Sequence, residues 1–245
     1  MTLRIGFDMD GVLADFGAAF HEIEERLFGP ASALSAGEPE TEEQAQERAE
    51  AVTNNSVAPE PPEPDDVAAP ETPRQARRRR DAIWRAIQST PNFWETLKPI
   101  EHGAVARIHE MMLRHHWEVF FITQRPKTDG DTVQRQTQRW LVQQGFDLPS
   151  VLVISGSRGA AAGAMRLDYH IDDSAQNCLD VMADSRARTL LVVPDSDEKT
   201  IASARLLGIG TVRSVTECLD ILEQVSTART QPGLLARLAT LVGWR

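Results

Sequence analysis

Apolar positions along this chain follow two rhythms. Short runs that are apolar apart from Arg4, Glu118, His170 and Thr189 occur at residues 3–7, 118–122, 151–154, 169–171 and 189–193. Between them lie stretches that read as helices, at 105–113, 134–144, 160–167, 175–183, 199–207 and 215–225, most with apolar residues three and four positions apart. The first rhythm predicts buried strands and the second predicts amphipathic helices. Gly145 and Gly208 stand where two of those helices should stop, as glycine commonly does. Thr211 and Val212 predict a last short strand. Largely apolar strands that alternate with helices imply an α/β fold: a Rossmann-like parallel sheet with helices on both faces. In such sheets the chemistry gathers beyond the C-terminal ends of the strands.

One region breaks the alternation. Residues 15–28 carry a helical stripe at Phe16, Phe20, Ile23 and Leu27, and residues 74–88 carry another at Ala76, Ile83, Trp84 and Ile87 beside Arg77–Arg80. Pro91-Asn92-Phe93-Trp94 then ends the helix. Residues 15–100 therefore read as a small helical cap inserted after the first strand. The remaining pieces, 1–14 and 101–226, form the core, and 227–245 is a tail. Inside the cap, residues 35–73 are rich in Glu, Ala and Pro and have no apolar side chain larger than valine. Burial there cannot offset the entropy of ordering, which predicts a disordered insertion. The tail places Leu234, Leu235, Leu238, Leu241 and Val242 at helical spacing. That stripe would dock either on the core or on a second copy of the chain, as a homodimer.

Charge changes this picture little. The chain has a net charge of −10, but residues 35–75 hold eleven acidic side chains against Arg48 and Arg74. The rest is close to neutral, so the balance points to neither polymeric nucleic acid nor a membrane surface as partner. No apolar stretch approaches the length of a membrane span. The start of the chain runs directly into the first strand with no leader pattern. Cys178 and Cys218 are too few for a disulfide framework. Together these features predict a cytoplasmic protein.

Candidate chemistry sits at the predicted strand ends. The first strand runs into Asp8-Met9-Asp10-Gly11. In extended chain, residues two apart share a side, and glycine permits a sharp turn just beyond them. Paired carboxylates at such a turn suit a hard cation such as Mg²⁺ and a phosphate bound to it. One can attack phosphorus while the other handles the proton. The second strand ends in Thr123-Gln124-Arg125-Pro126. There a hydroxyl and neighbouring N–H groups can donate to a phosphate, with Arg125 and Lys127 facing either the phosphate or solvent. The fourth strand ends in Asp172-Asp173. Adjacent carboxylates repel, and a divalent cation is the natural compensation.

The string Asp-Met-Asp-Gly-Val-Leu-Ala-Asp-Phe at 8–16 resembles the first motif of the haloacid dehalogenase-like phosphatase superfamily, in the form found in its 5'(3')-deoxyribonucleotidase branch. Thr123 resembles the second motif and Asp172-Asp173 the fourth. The resemblance covers residues 3 to about 195 in motif order, apart from the insertion. It implies a Mg²⁺-dependent phosphomonoesterase with Asp8 as the nucleophile, forming an aspartyl-phosphate. It makes Asp10 the general acid/base, whose main-chain carbonyl joins Asp8 and Asp172 or Asp173 at the metal. It makes Thr123 the phosphoryl ligand, with Gln124 and Arg125 beside it. The implied substrate is a small phosphorylated molecule, a nucleoside monophosphate or else a sugar phosphate. The superfamily's third motif carries a lysine, yet this chain has none between Lys127 and Lys199. Arg158 is the nearest replacement, with Arg125, Lys127 and a cap arginine as others; without any replacement the chain would bind phosphate and turn over little. In the nucleotidase branch, cap aromatics stack on the base. Phe16, Phe93 and Trp94 are the candidates here, while Phe20 and Trp84 fit the cap's own packing.

Overall fold

The computed structural model describes residues 2–30, 72–193 and 197–228. Six parallel strands form one sheet: β1 (Arg4–Asp8), β2 (Glu118–Thr123), β3 (Ser150–Val153), β4 (Tyr169–Asp172), β5 (Arg188–Val192) and β6 (Gly210–Val212), in the order β3-β2-β1-β4-β5-β6. The helices are α1 (Phe16–Phe28), α2 (Pro73–Gln88), α3 (Ala104–His115), α4 (Val133–Gln143), α5 (Arg158–Met165), α6 (Ala175–Asp184), α7 (Glu198–Leu206) and α8 (Val215–Ala228). Both rhythms of the sequence are thus realised, and the parallel α/β architecture is as expected. The reason is burial. Ile5, Phe7, Phe121, Ile122, Ile171, Leu190 and Leu191 are inaccessible to solvent, as strands covered on both faces must be.

The order of the strands fixes where a ligand can enter. The chain moves outward from β1 through β2 to β3, then returns to the other side of β1 to lay down β4. The crevice between β1 and β4 is the switch point at which open α/β sheets bind their ligands. In register, Phe7 faces Ile171 across these strands. Asp8 and Asp172, one residue on, therefore leave the sheet side by side.

The chain divides into two compact units, one of Met1–Phe16 with Pro91–Arg245 and one of Gly17–Thr90. The second unit pairs most of α1 with α2. Thr72 and Gln75 form a reciprocal capping box, with Pro73 at the first helical position, an arrangement that satisfies helix-end donors and fixes where α2 begins. Phe20 and Trp84 meet edge to face with centroids 6.2 Å apart, and the Arg79 guanidinium pairs with Glu24 at 2.9 Å and lies over Phe28.

Residues 91–100, grouped with the cap on sequence grounds, instead fold with the sheet. Trp94 Nε1 donates to the Pro126 carbonyl (3.0 Å), Trp140 Nε1 to the Leu97 carbonyl (2.7 Å), and Ile100 N to the Leu13 carbonyl (2.9 Å). The expectations for the acidic insertion up to residue 71 and for the tail beyond residue 228 lie outside the described residues. Cys178 and Cys218 are buried free thiols. No helix among the described residues is long and apolar enough to cross a membrane.

Candidate active site

Asp8 is the last residue of β1, and the chain turns at once. The amides of Leu13 and Ala14 donate to the Met9 carbonyl, and the Gly11 amide donates to the Ala14 carbonyl. Gly11 has φ +78°, and a Cβ on it would lie 1.7 Å from Asp173 Oδ2. Glycine is therefore required here twice, for the left-handed backbone and for the space that Asp173 occupies. The result is a cluster in which Asp8, Asp172 and Asp173 present carboxylate oxygens within 4.8 Å of one another.

Arg158 faces this cluster. Its Nη1 lies 2.5 Å from Asp8 Oδ1 and 3.3 Å from Asp172 Oδ2, and the side chain is almost fully buried. The sequence suggests a helix from Ala160 onward, but α5 begins two residues earlier because the Ser157 hydroxyl accepts from the Ala160 amide and caps it. Arg158 thus becomes the first helical residue, and side chains on a helix lean toward its N-terminus, here toward the strand ends. Gly159 lets α5 come close to α6: a Cβ there would stand 2.2 Å from the Asp180 carbonyl. The Gly/Ala run is a helix, as expected, and packs at short range.

The two buried aspartates facing Arg158 have opposite electrostatics. Asp172 Oδ1 accepts from the Ser174 amide (2.9 Å) and Asn177 Nδ2 (3.0 Å), and its Oδ2 accepts from His170 Nε2 (2.9 Å). Burial pulls the Asp172 carboxyl upward, but Arg158 and the His170 hydrogen bond outweigh it and hold the group below its ordinary value. Asp8 lacks those extra donors. Burial lifts its carboxyl well above the usual range; Arg158 opposes this, while Asp172, Asp173 and Asp10 add to it. Burial would depress the Arg158 guanidinium, but Asp8 and Asp172 raise it above its already high value. An all-oxygen donor set of three carboxylates fits a hard divalent cation.

Asp10 is arranged differently. Arg125 Nε lies 2.8 Å from its Oδ2 and Nη2 lies 2.6 Å from its Oδ1. Arg125 Nη1 donates to Thr137 Oγ1 at 3.0 Å, and the guanidinium lies 4.8 Å from the centroid of the Trp94 ring. Arg125, expected beside the phosphate, thus has Asp10 and Thr137 as its hydrogen-bond partners. The Asp10 side chain stands outside the carboxylate cluster, which leaves its main-chain carbonyl as the group the resemblance assigns to a metal. Thr123, the last residue of β2, is buried beside the crevice. The Gln124 amide reaches across to the Gly156 carbonyl (3.2 Å), so it ties the β2 and β3 loops together. Lys127 is exposed.

The aromatic residues expected to stack on a base are used for packing. Trp94 lies edge to face with Phe93 at 5.0 Å and tilted against Phe16 at 5.5 Å, and Arg125 covers its face. Phe93 and Trp94 are 4% and 1% exposed. Having folded with the sheet rather than the cap, they present no open ring face. Sequence reasoning passed over His170 and Thr137. His170 had a readable signal, since it precedes Asp172 by two in a strand, which puts them on one side; Thr137, in the middle of α4, had none.

Sequence comparison matches no protein-family model and no curated protein. Comparison of the fold is informative. The chain has the fold of the haloacid dehalogenase-like hydrolases. A HAD family hydrolase from Deinococcus radiodurans R1, solved with bound phosphate and sodium, superposes with a TM-score of 0.54 over 95% of this chain and 97% of its own, at 14% identity. A haloacid dehalogenase-like family hydrolase from Streptococcus pneumoniae gives 0.51 over 90% and 98%, at 11% identity.

Proposed function

We propose that the protein is a Mg²⁺-dependent phosphomonoesterase that works through an aspartyl-phosphate on Asp8. The observation that carries this reading is the Arg158 guanidinium, 2.5 Å from Asp8 in a buried cluster with Asp172 and Asp173. The missing lysine was the reason to consider a phosphate-binding protein with little turnover. Arg158 supplies that cation, and its planar fork is well matched to phosphate.

Asp8 attacks phosphorus in line, and the bond from phosphorus to the leaving oxygen breaks as Asp10 protonates that oxygen. Water then attacks the aspartyl-phosphate and gives its proton to Asp10; the phosphorus–Asp8 bond breaks and inorganic phosphate leaves. Arg158 and Thr123 offset charge on the transferring phosphoryl oxygens. Asp8, Asp172 and Asp173 would hold Mg²⁺, which when bound neutralises those oxygens and the excess carboxylate charge.

For the substrate, the string at 8–16 supports a nucleoside monophosphate, with Mg²⁺ and water as the only co-reactants. The packed state of Phe16, Phe93 and Trp94 favours a second reading, a phosphoester without a base, such as a sugar phosphate. A screen of phosphate release with Mg²⁺ over both classes tests this. The wild type should release phosphate from at least one class, and Asp8→Asn from none. A folded wild type that releases phosphate from nothing in the panel overturns the catalytic reading.

A further inference from the structure

Two carboxylates lie two residues apart in the first loop, yet each has its own arginine. Arg158 serves the metal and phosphate side. Arg125 has no remaining role in the reaction as described, although its side chain is only 1% exposed. A buried guanidinium is costly to maintain unless fully partnered, and here its partners are specific. Its Nε and Nη2 grip the two Asp10 oxygens, while Nη1 is anchored on Thr137, a fully buried residue of α4. The guanidinium lies on Trp94, which is itself fixed by its Nε1 to the Pro126 carbonyl and by its amide to Gln136 Oε1. Gln136 is in turn held by donating to the Asp131 carbonyl and Thr128 Oγ1. Among the described residues, no other hydrogen bond reaches the Asp10 carboxylate, which is 24% exposed on its remaining side.

We propose that Arg125 is the positioning residue for Asp10: braced by Thr137 and Trp94, it sets the orientation of the acid/base carboxylate at the phosphoryl site. The proposal rests on the phosphomonoesterase reading. Arg125 does not touch the phosphate. It acts by holding Asp10 in one rotamer, since a shift of about 1 Å in a reacting group costs on the order of 10² in rate.

The test uses p-nitrophenyl phosphate and glycerol 2-phosphate with Mg²⁺, on the wild type, Arg125→Gln, Asp10→Asn and the double variant. p-Nitrophenolate leaves without a proton, so the first half-reaction on that ester does not need Asp10. Hydrolysis of the aspartyl-phosphate does need it, because Asp10 takes the proton from water. In Arg125→Gln, kcat on p-nitrophenyl phosphate should therefore fall on the order of 10²-fold. KM should fall in step with it, kcat/KM should hold, and a burst of about one p-nitrophenolate per active site should appear. On glycerol 2-phosphate kcat/KM should fall as well. Added to Asp10→Asn, Arg125→Gln should cost less than about twofold, because residues acting as one unit are non-additive.

A raised KM with kcat intact would make Arg125 a phosphate ligand and overturn the proposal. So would equal losses of kcat/KM on both esters that multiply with Asp10→Asn, the pattern of general structural damage. If Arg125→Gln shows no cooperative melt, Thr137→Val removes one brace and leaves the guanidinium in place. It should give the same burst signature with a roughly fivefold smaller effect on kcat than the displacement expected above, and its absence overturns the proposal. No turnover of either ester by the wild type sinks the phosphomonoesterase reading itself, whereas a uniform loss in an otherwise active enzyme sinks only the role of Arg125.

Discussion

Asp8 and Asp10 are separated by one residue and live in two different electrostatic regions. Asp8 lies in a cluster with the buried Asp172 and the half-buried Asp173, where Arg158 is shared between Asp8 and Asp172. Asp10 lies at a half-open position with an arginine to itself. The first region gathers three carboxylates of a kind that suits a hard divalent cation. In the second, Arg125 grips both oxygens of Asp10. Neighbouring carboxylates thus stand in different surroundings, which under the proposed mechanism would suit Asp8 to attack phosphorus and Asp10 to carry the proton.

The contrast can be broken at either end. The largest effect is expected from Asp8→Asn, which should lower phosphate release by ~10⁴-fold or more, as loss of a nucleophile does. The same variant should raise the melting temperature of the metal-free protein. Because burial raises the Asp8 carboxyl in the folded state, its ionised form costs stability above the unfolded-state value, and the amide removes that cost. A lower melting temperature would show that Asp8 is not strained by its neighbours.

Next in size, Arg158→Ala should cost ~10²–10³ in kcat, and Arg158→Lys should recover most of it by restoring the charge. Equal activity in wild type and Arg158→Ala would remove Arg158 from the first region. Gly11→Ala should act on the metal rather than the nucleophile. The new Cβ must displace Asp173, so the Mg²⁺ concentration for half-maximal activity should rise ~10-fold, and the left-handed φ should add ~1 kcal/mol of destabilisation. Calorimetric titration of Mg²⁺ checks the first and a thermal melt the second. The smallest effect is expected at Gln124. Gln124→Ala removes a bridge to the Gly156 carbonyl and touches neither region, so rate and melting temperature should stay within ~0.5 kcal/mol of wild type.

Much of this molecule is legible from its sequence. Strand and helix periods are local properties of the chain, and every predicted core element is present within two or three residues. Asp8, Asp172 and Asp173 were readable because carboxylates at the ends of apolar strands have few other uses in a parallel sheet. What escaped was non-local. The partner of an arginine is a matter of tertiary distance: Arg125 and Arg158 are both loop-side arginines in the sequence, and only the fold aims one at Asp10, 115 residues away, and the other at Asp8, 150 residues away. Trp94 misled for a related reason. An aromatic beside a chain break reads equally as a ligand platform or as packing, and only the placement of residues 91–100 against α4 and the β2 loop decides.

The sequence by itself therefore determined the sheet, the order of its strands' chemistry and the carboxylates at the crevice, because hydrophobic period and strand-end position are written along the chain. Tertiary structure alone decided which cation faces which carboxylate and which aromatic faces stay open. Side-chain pairing depends on what the fold brings within 3 Å, and sequence separation says nothing about that distance.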